Sequence, residues 1–225
     1  MTSPAPTARS VRAENTRAAI LSAAERLFAE QGIATVSNRQ IGAAARQGNN
    51  AAVAYHFGTK ADLVRAIENK HAGHIDELLR HKVAATSDQA GLRDWVACLV
   101  EPFTMHLAAL GTPTWYARFI AKAQTDPLYW RVIADNARDS DALNHVVDNI
   151  TRRLPDLPAH VLVERSLMTR TMLHHTCAEH EHNFASATEF ATPQSPELTP
   201  GDWTAVSHGM VDAIVALWRA TVTAP

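Results

Sequence analysis

The sequence predicts an all-α protein of about nine helices, in which a small three-helix N-terminal unit with a helix-turn-helix precedes a larger helical body. Three observations predict it. Ala and Leu are abundant and β-branched runs are rare, a composition that suits helices better than strands. Apolar residues recur at i, i+3/i+4, i+7 through most of the chain. Residues 37–60, SNRQIGAAARQGNNAAVAYHFGTK, read as two short helices around a Gly-containing turn, followed by the capped start of a third. With 225 residues and 46% apolar content, the chain is large enough to bury a substantial core.

The first helix is expected over 13–31, with Ile20, Leu21, Ala24, Leu27 and Phe28 as its stripe and Gly32 as its stop. Ser37 with Gln40 three residues on is a capping box, and Ile41, Ala44 and Ala45 give the next helix its apolar face. Gly48 is the expected breaker and Asn49 the expected cap of the third helix, which ends in Tyr55-His56-Phe57. Thr59 and Asp62 cap a long fourth helix running through Leu63, Ile67, His71, Ile75, Leu78 and Leu79 to about Ala85. A fifth runs from about Gln89 to Leu110, where Pro102 should bend or split it. Thr112-Pro113 and Asp126-Pro127 each read as a cap followed by proline at the first helical position. They open a short sixth helix and a seventh continuing to Leu154. The eighth is expected over 159–182, a loop over 183–201, and the ninth over 202–221.

Charge divides the chain. Residues 1–70 hold nine Lys and Arg against five Asp and Glu, and the remainder twelve against eighteen, so a head of +4 sits on a body of −6. A basic head suits contact with phosphates, and the acidic body does not. Cys98 and Cys177 are too few and too far apart for a disulfide framework or a zinc knuckle. Reduced thiols of a cytoplasmic protein are the expectation. No apolar run approaches the ~20 residues of a membrane span. Residues 1–12 lack an apolar signal core and are expected to form a flexible arm, with Arg9 and Arg12 solvated or against DNA backbone.

Asparagine can grip adenine with two hydrogen bonds. Asn49 and Asn50, at the start of the third helix, are therefore candidates for base contact, although Asn49 would serve equally as a cap. The methyl of Ala52 can meet a thymine methyl. Tyr55, His56 and Lys60 are candidates for phosphate; a lysine in the first turn of a helix opposes the helix dipole unless an anion shares that end. Arg39 and Arg46 flank the second helix, as backbone contacts or as solvated charge.

Residues 13–65, and above all Ala54-Tyr55-His56-Phe57-Gly58-Thr59-Lys60-Ala61-Asp62-Leu63, resemble the DNA-binding domain of TetR-family transcriptional regulators. Many relatives have Gly-Thr-Leu-Tyr-Tyr-His-Phe where this chain has Ala51-Ala52-Val53-Ala54-Tyr55-His56-Phe57, so Ala54 replaces a tyrosine and Ala52 a threonine. The resemblance implies three domains or segments: the arm 1–12, a DNA-binding domain over 13–58, and a ligand-binding and dimerisation domain over 59–225. It implies a homodimer through the last two helices on a palindromic DNA operator, a repressor released by a small hydrophobic effector, and neither cofactor nor enzymatic activity. In relatives, the fifth to eighth helices surround the ligand. The expected lining is therefore Trp95, Phe103, His106, Trp115, Phe119, Trp130, Met168, Met172 and His175, with Arg118 as a further polar group; ordinary core is the competing reading of each aromatic and Met.

Two other readings remain open. His174, Cys177 and Glu181 share one helical face, which a metal-responsive regulator could use. Glu68 with His71, and Glu179 with His182, have the Glu-x-x-His spacing of di-iron helical bundles. No GxGxxG, P-loop, GxSxG or HExxH occurs in the chain.

Overall fold

A computed structural model describes residues 8–49, 51–190 and 202–222. Among them are ten helices and no strand. The head consists of α1 (Ala8–Gln31), α2 (Asn38–Ala44) and α3 (Ala52–Phe57). The long α4 (Lys60–Ala85) leads into α5 (Leu92–Leu110), α6 (Tyr116–Thr125), α7 (Trp130–Arg138), α8 (Asp141–Arg152), α9 (Ala159–Phe190) and α10 (Trp203–Arg219).

Local capping sets the head. Ser37 Oγ accepts from the Gln40 amide, and the Gln40 side chain accepts in return from the Ser37 amide, 2.8 Å away. Thr59 and Asp62 repeat the arrangement at the start of α4. Gly32 and Gly58 hold φ of +88° and +74°, a region where a Cβ is strained, and so stop α1 and α3. Ile20, Ala24, Phe28, Ile41, Val53, Phe57, Leu63 and Ile67 close the core of this unit.

Several local expectations need correction. The first helix begins at Ala8, five residues before the expected Ala13, so part of the expected arm is helical; Ala8-Arg9-Ser10-Val11-Arg12 holds no breaker, and Pro6 lies upstream. After α2 the left-handed residue is Arg46 (φ 55°), not Gly48. Ala44 is exposed, and Gly42 takes its place on the buried side of α2. Asn49 is not the cap of α3: its side chain accepts from the Ala51 amide at 2.9 Å in a turn ahead of the helix, and Ala51 is the capping residue. Asn50 lies outside the described residues.

In the body, Pro102 is accommodated within a continuous α5. Pro113 does not start α6, which begins at Tyr116 because its first amides are capped from another helix, as set out below. The expected seventh helix divides into α7 and α8, since Ser140 accepts from the Leu143 amide at 3.1 Å and caps a new start. The eighth extends to Phe190, where NFASATEF contains no breaker; residues 191–201 of the expected loop lie outside the described residues. The apolar stripe of the last helix, including Trp203, Val206, Met210, Ile214 and Trp218, packs into its own chain along α5 and α9.

The head does not hang from α4 alone. Helix α1 packs on α6, with Phe28 and Phe119 stacked at 6.4 Å between ring centres. Two helices therefore join head to body. No described helix is long and apolar enough to cross a membrane.

Candidate functional site

Two sites are built on this frame, one at each end of α4. At the first, α3 presents its polar side outward while Val53 and Phe57 lock it inward. Tyr55 is 85% exposed, with its ring edge-on to His56 at 5.1 Å. Arg39, Arg46 and Asn49 are exposed, and Ala52 is half-buried against the core. Lys60 stands apart from this set: its Nζ donates to the Ile33 carbonyl at 3.1 Å, tying the start of α4 to the turn between α1 and α2. An ammonium has three donors, so two remain. Arg17 was missed in the sequence. It donates to the His56 carbonyl at 3.0 Å and lies over the Phe57 ring at 4.3 Å, bracing the C-terminal end of α3 against α1. Its one signal was position, a cation on the polar side of the first helix.

The second site is a cavity of about 870 Å3 between α4, α5, α6, α7, α8 and α9, with Trp218 of α10 also in its wall. Phe103 and Trp130 of the expected lining are present. The other seven are elsewhere. Trp95 is fully buried beside His145, with Arg153 over its ring. Phe119 packs into the head-to-body joint. Trp115 caps α6, Met168 is 48% exposed, and Met172 and His175 lie off the cavity. His106 is buried in a separate network, and Arg118 bonds to Glu181 and the Thr114 carbonyl. The walls are made instead by residues without an aromatic signal, among them Ile75, Leu79, Ile120, Leu143 and Leu173, with Tyr116.

Most of the lining surface is apolar, with polar groups such as Glu68, Gln124, Arg170 and His174 among it. Gln124 Nε2 bonds to His174 Nδ1 at 2.7 Å, and burial drives His174 down to about 4, so the ring is neutral. Arg170 spreads over the Trp130 ring at 4.6 Å. Glu68 accepts from the Tyr116 hydroxyl at 3.0 Å, and burial pushes its carboxyl up to about 7 against that bond. Burial also lifts Tyr116 well above the ordinary phenol range, so it stays the donor.

From Tyr116 a chain of contacts runs to the head. Its ring stacks on His71 at 3.9 Å. His71 Nε2 meets Glu25 of α1 at 3.1 Å, His71 Nδ1 meets His106 Nε2 at 2.8 Å, and His106 Nδ1 meets His74 Nδ1 at 2.9 Å. Burial opposes the charge on Glu25, but His71 and Lys70 outweigh it and hold the carboxyl below its usual range. An ionised Glu25 can only accept, so His71 Nε2 donates to it. Burial and its two histidine neighbours drive His106 down to about 4, in keeping with a neutral middle ring.

The metal reading finds no support in the geometry. Both oxygens of Glu181 cap α6, accepting from the amides of Ala117 and Arg118 at 3.0 Å each, with Arg118 Nε as a third donor at 3.0 Å. Cys177 is fully buried and its thiol is pushed up, chiefly by burial. His174 turns to the cavity. Among the described residues no group of three His, Cys, Asp or Glu is placed to hold a metal ion. The Glu-x-x-His pairs do not converge either: Glu68 and His71 take different partners, and Glu179 and His182 are exposed.

Residues 20–67 match the family of bacterial regulatory proteins described as the tetR family. The fold resembles a protein from Shewanella sp. PV-4 described as a tetR-family transcription regulator, at 18% identity, TM-score 0.53, over 90% of this chain and 96% of that one. It resembles NalD of Pseudomonas aeruginosa, the secondary repressor of the MexAB-OprM multidrug efflux pump, at 19% identity, TM-score 0.52, over 93% and 100%. A bacterial regulatory protein in the tetR family from Rhodococcus RHA1 aligns at 17% identity, TM-score 0.52, over 92% and 98%. No curated protein matches the chain.

Proposed function

Since the chain is a TetR-family transcriptional regulator, we propose that it is a homodimeric repressor released from a palindromic operator by a small effector held in the body cavity. One observation carries this reading. Helix α4 starts at Lys60, three residues after α3 ends at Phe57, and forms a wall of the cavity from Glu68 to Arg80. Anything that displaces α4 in the cavity therefore also moves α3.

In this reading α3 lies in the major groove. Asn49 and Ala52 face bases, and Tyr55, His56 and Arg39 hold phosphates. Two heads fit successive grooves when their recognition helices are about 34–36 Å apart. Effector binding favours a different spacing and so lowers operator affinity. A second path supports the coupling, because α1 is tied to the body through Glu25–His71 and Phe28–Phe119.

The homodimer forms through α9 and α10. Val163 (66% exposed), Leu167 (45%) and Met168 (48%) of α9 support it as apolar groups on the surface. The outward side of α10 carries Ala205, Gly209 and Ala213, small enough for close approach of a partner helix. The test is a gel shift with DNA from upstream of the chain's own gene, combined with sedimentation. The expected result is a two-fold symmetric footprint bound by a dimer. A monomer in solution, or equal affinity for that DNA and a random fragment, overturns the reading.

A further inference from the structure

The cavity has one deep charge without a counter-charge. Glu68 is 7% exposed, and its Oε2 accepts from Tyr116 while Oε1 has no protein partner among the described residues. No Lys, Arg or His among them lies within ion-pair distance of it. The guanidinium groups along the same walls are already engaged: Arg80 with Asp76, Arg138 with Asp135, and Arg170 over the Trp130 ring. An unpaired carboxylate in an apolar enclosure is costly, and a cation brought to it recovers much of that cost.

Resting on the effector-cavity reading above, we propose that the ligand is a lipophilic organic cation, its charged centre beside Glu68 and its apolar body against Phe103, Ile120 and Leu173. The volume, about 870 Å3, suits a molecule of drug size. The carboxyl, held near 7 by burial, ionises fully when a positive charge arrives. The same contact reaches the head, because the Tyr116 hydroxyl that Glu68 holds belongs to the ring stacked on His71, the partner of Glu25.

Two ions of nearly the same shape and opposite charge test this: tetraphenylphosphonium and tetraphenylborate, titrated calorimetrically into the full chain. The phosphonium binds once per chain and at least about tenfold more tightly than the borate. In Glu68→Gln that preference falls by about tenfold, with the fold checked by circular dichroism. Equal or tighter binding of the borate by the wild-type chain overturns the proposal and needs no variant. Full phosphonium affinity in a folded Glu68→Gln overturns it as well. A wild-type chain that selects the phosphonium but shifts no upstream DNA overturns the repressor reading and supports the ligand class. One that shifts DNA but prefers the borate does the reverse.

Discussion

The head and the body use their polar groups in opposite ways. In the head, Arg39, Asn49 and Tyr55 are exposed, Tyr55 to 85%, while Ala52, His56 and Lys60 are partly buried. In the body, the polar residues that matter are buried and held by partners 35 to 64 residues away, as with His71–His106 and Ala117–Glu181. Head substitutions should therefore change binding with little change in stability. Body substitutions should change both.

The largest effect expected from this contrast is at Glu181. Its carboxylate satisfies two amides at the start of α6 and the Arg118 guanidinium, in a setting nearly free of solvent. Glu181→Ala leaves one buried and two partly buried donors without their acceptor and should cost about 3–5 kcal/mol. Urea denaturation measures it. A loss below about 1 kcal/mol would show that water replaces the carboxylate and that the start of α6 is open to solvent.

Glu68→Gln comes next, with a sign set by pH. The folded carboxyl sits at about 7, above its ordinary 4.5. Its contribution to stability is therefore complete below 4.5 and is lost as pH rises through 7. Gln removes that loss, so the variant should gain about 3 kcal/mol over wild type at pH 8 and nothing at pH 4. His106 and His174, each lowered from 6.5 to about 4, lose stability in the opposite direction, as pH falls through that range. Both are common to the two proteins and cancel in the difference. Parallel stability curves from pH 4 to 8 would contradict the buried carboxyl.

These two cases also show why the head was legible in the sequence and the cavity was not. The capping boxes at Ser37 and Thr59 span three residues each, so local rules found them. The cavity is defined by residues that approach from seven helices. Tyr116, Gln124 and Ile120 have nothing in their local pattern to distinguish a wall from a core position. Aromatic residues drew attention instead, and Trp95 and Phe119 proved to be core. His174 and Glu181 do share a helix, as the metal reading noticed, but one faces the cavity and the other caps α6. Even a local signal was overlooked at Ser140, where Asp-Ser-Asp divides α7 from α8.

Tyr55→Ala belongs to the head and should behave accordingly. Operator affinity should fall about tenfold, or about 1.4 kcal/mol, through a lost phosphate contact. The melting temperature should stay within about 1 °C of wild type, since little of the side chain is buried. A drop in stability that matched the drop in affinity would mean the edge-on contact with His56 supports α3 itself.

Lys60 lies between the two cases and sharpens the comparison most for the smallest effect. Its Nζ is held by the Ile33 carbonyl, a structural role, yet two donors remain at a helix start whose amides also favour an anion. Lys60→Ala should therefore lower the slope of log affinity against log salt by about one unit, across operator and random DNA alike. Stability should fall by less than about 1 kcal/mol, the value of one partly solvated hydrogen bond. If the slope is unchanged while stability falls, Lys60 serves the α1–α2 turn alone, and the boundary between the binding head and the folded body moves from the start of α4 to the end of α3.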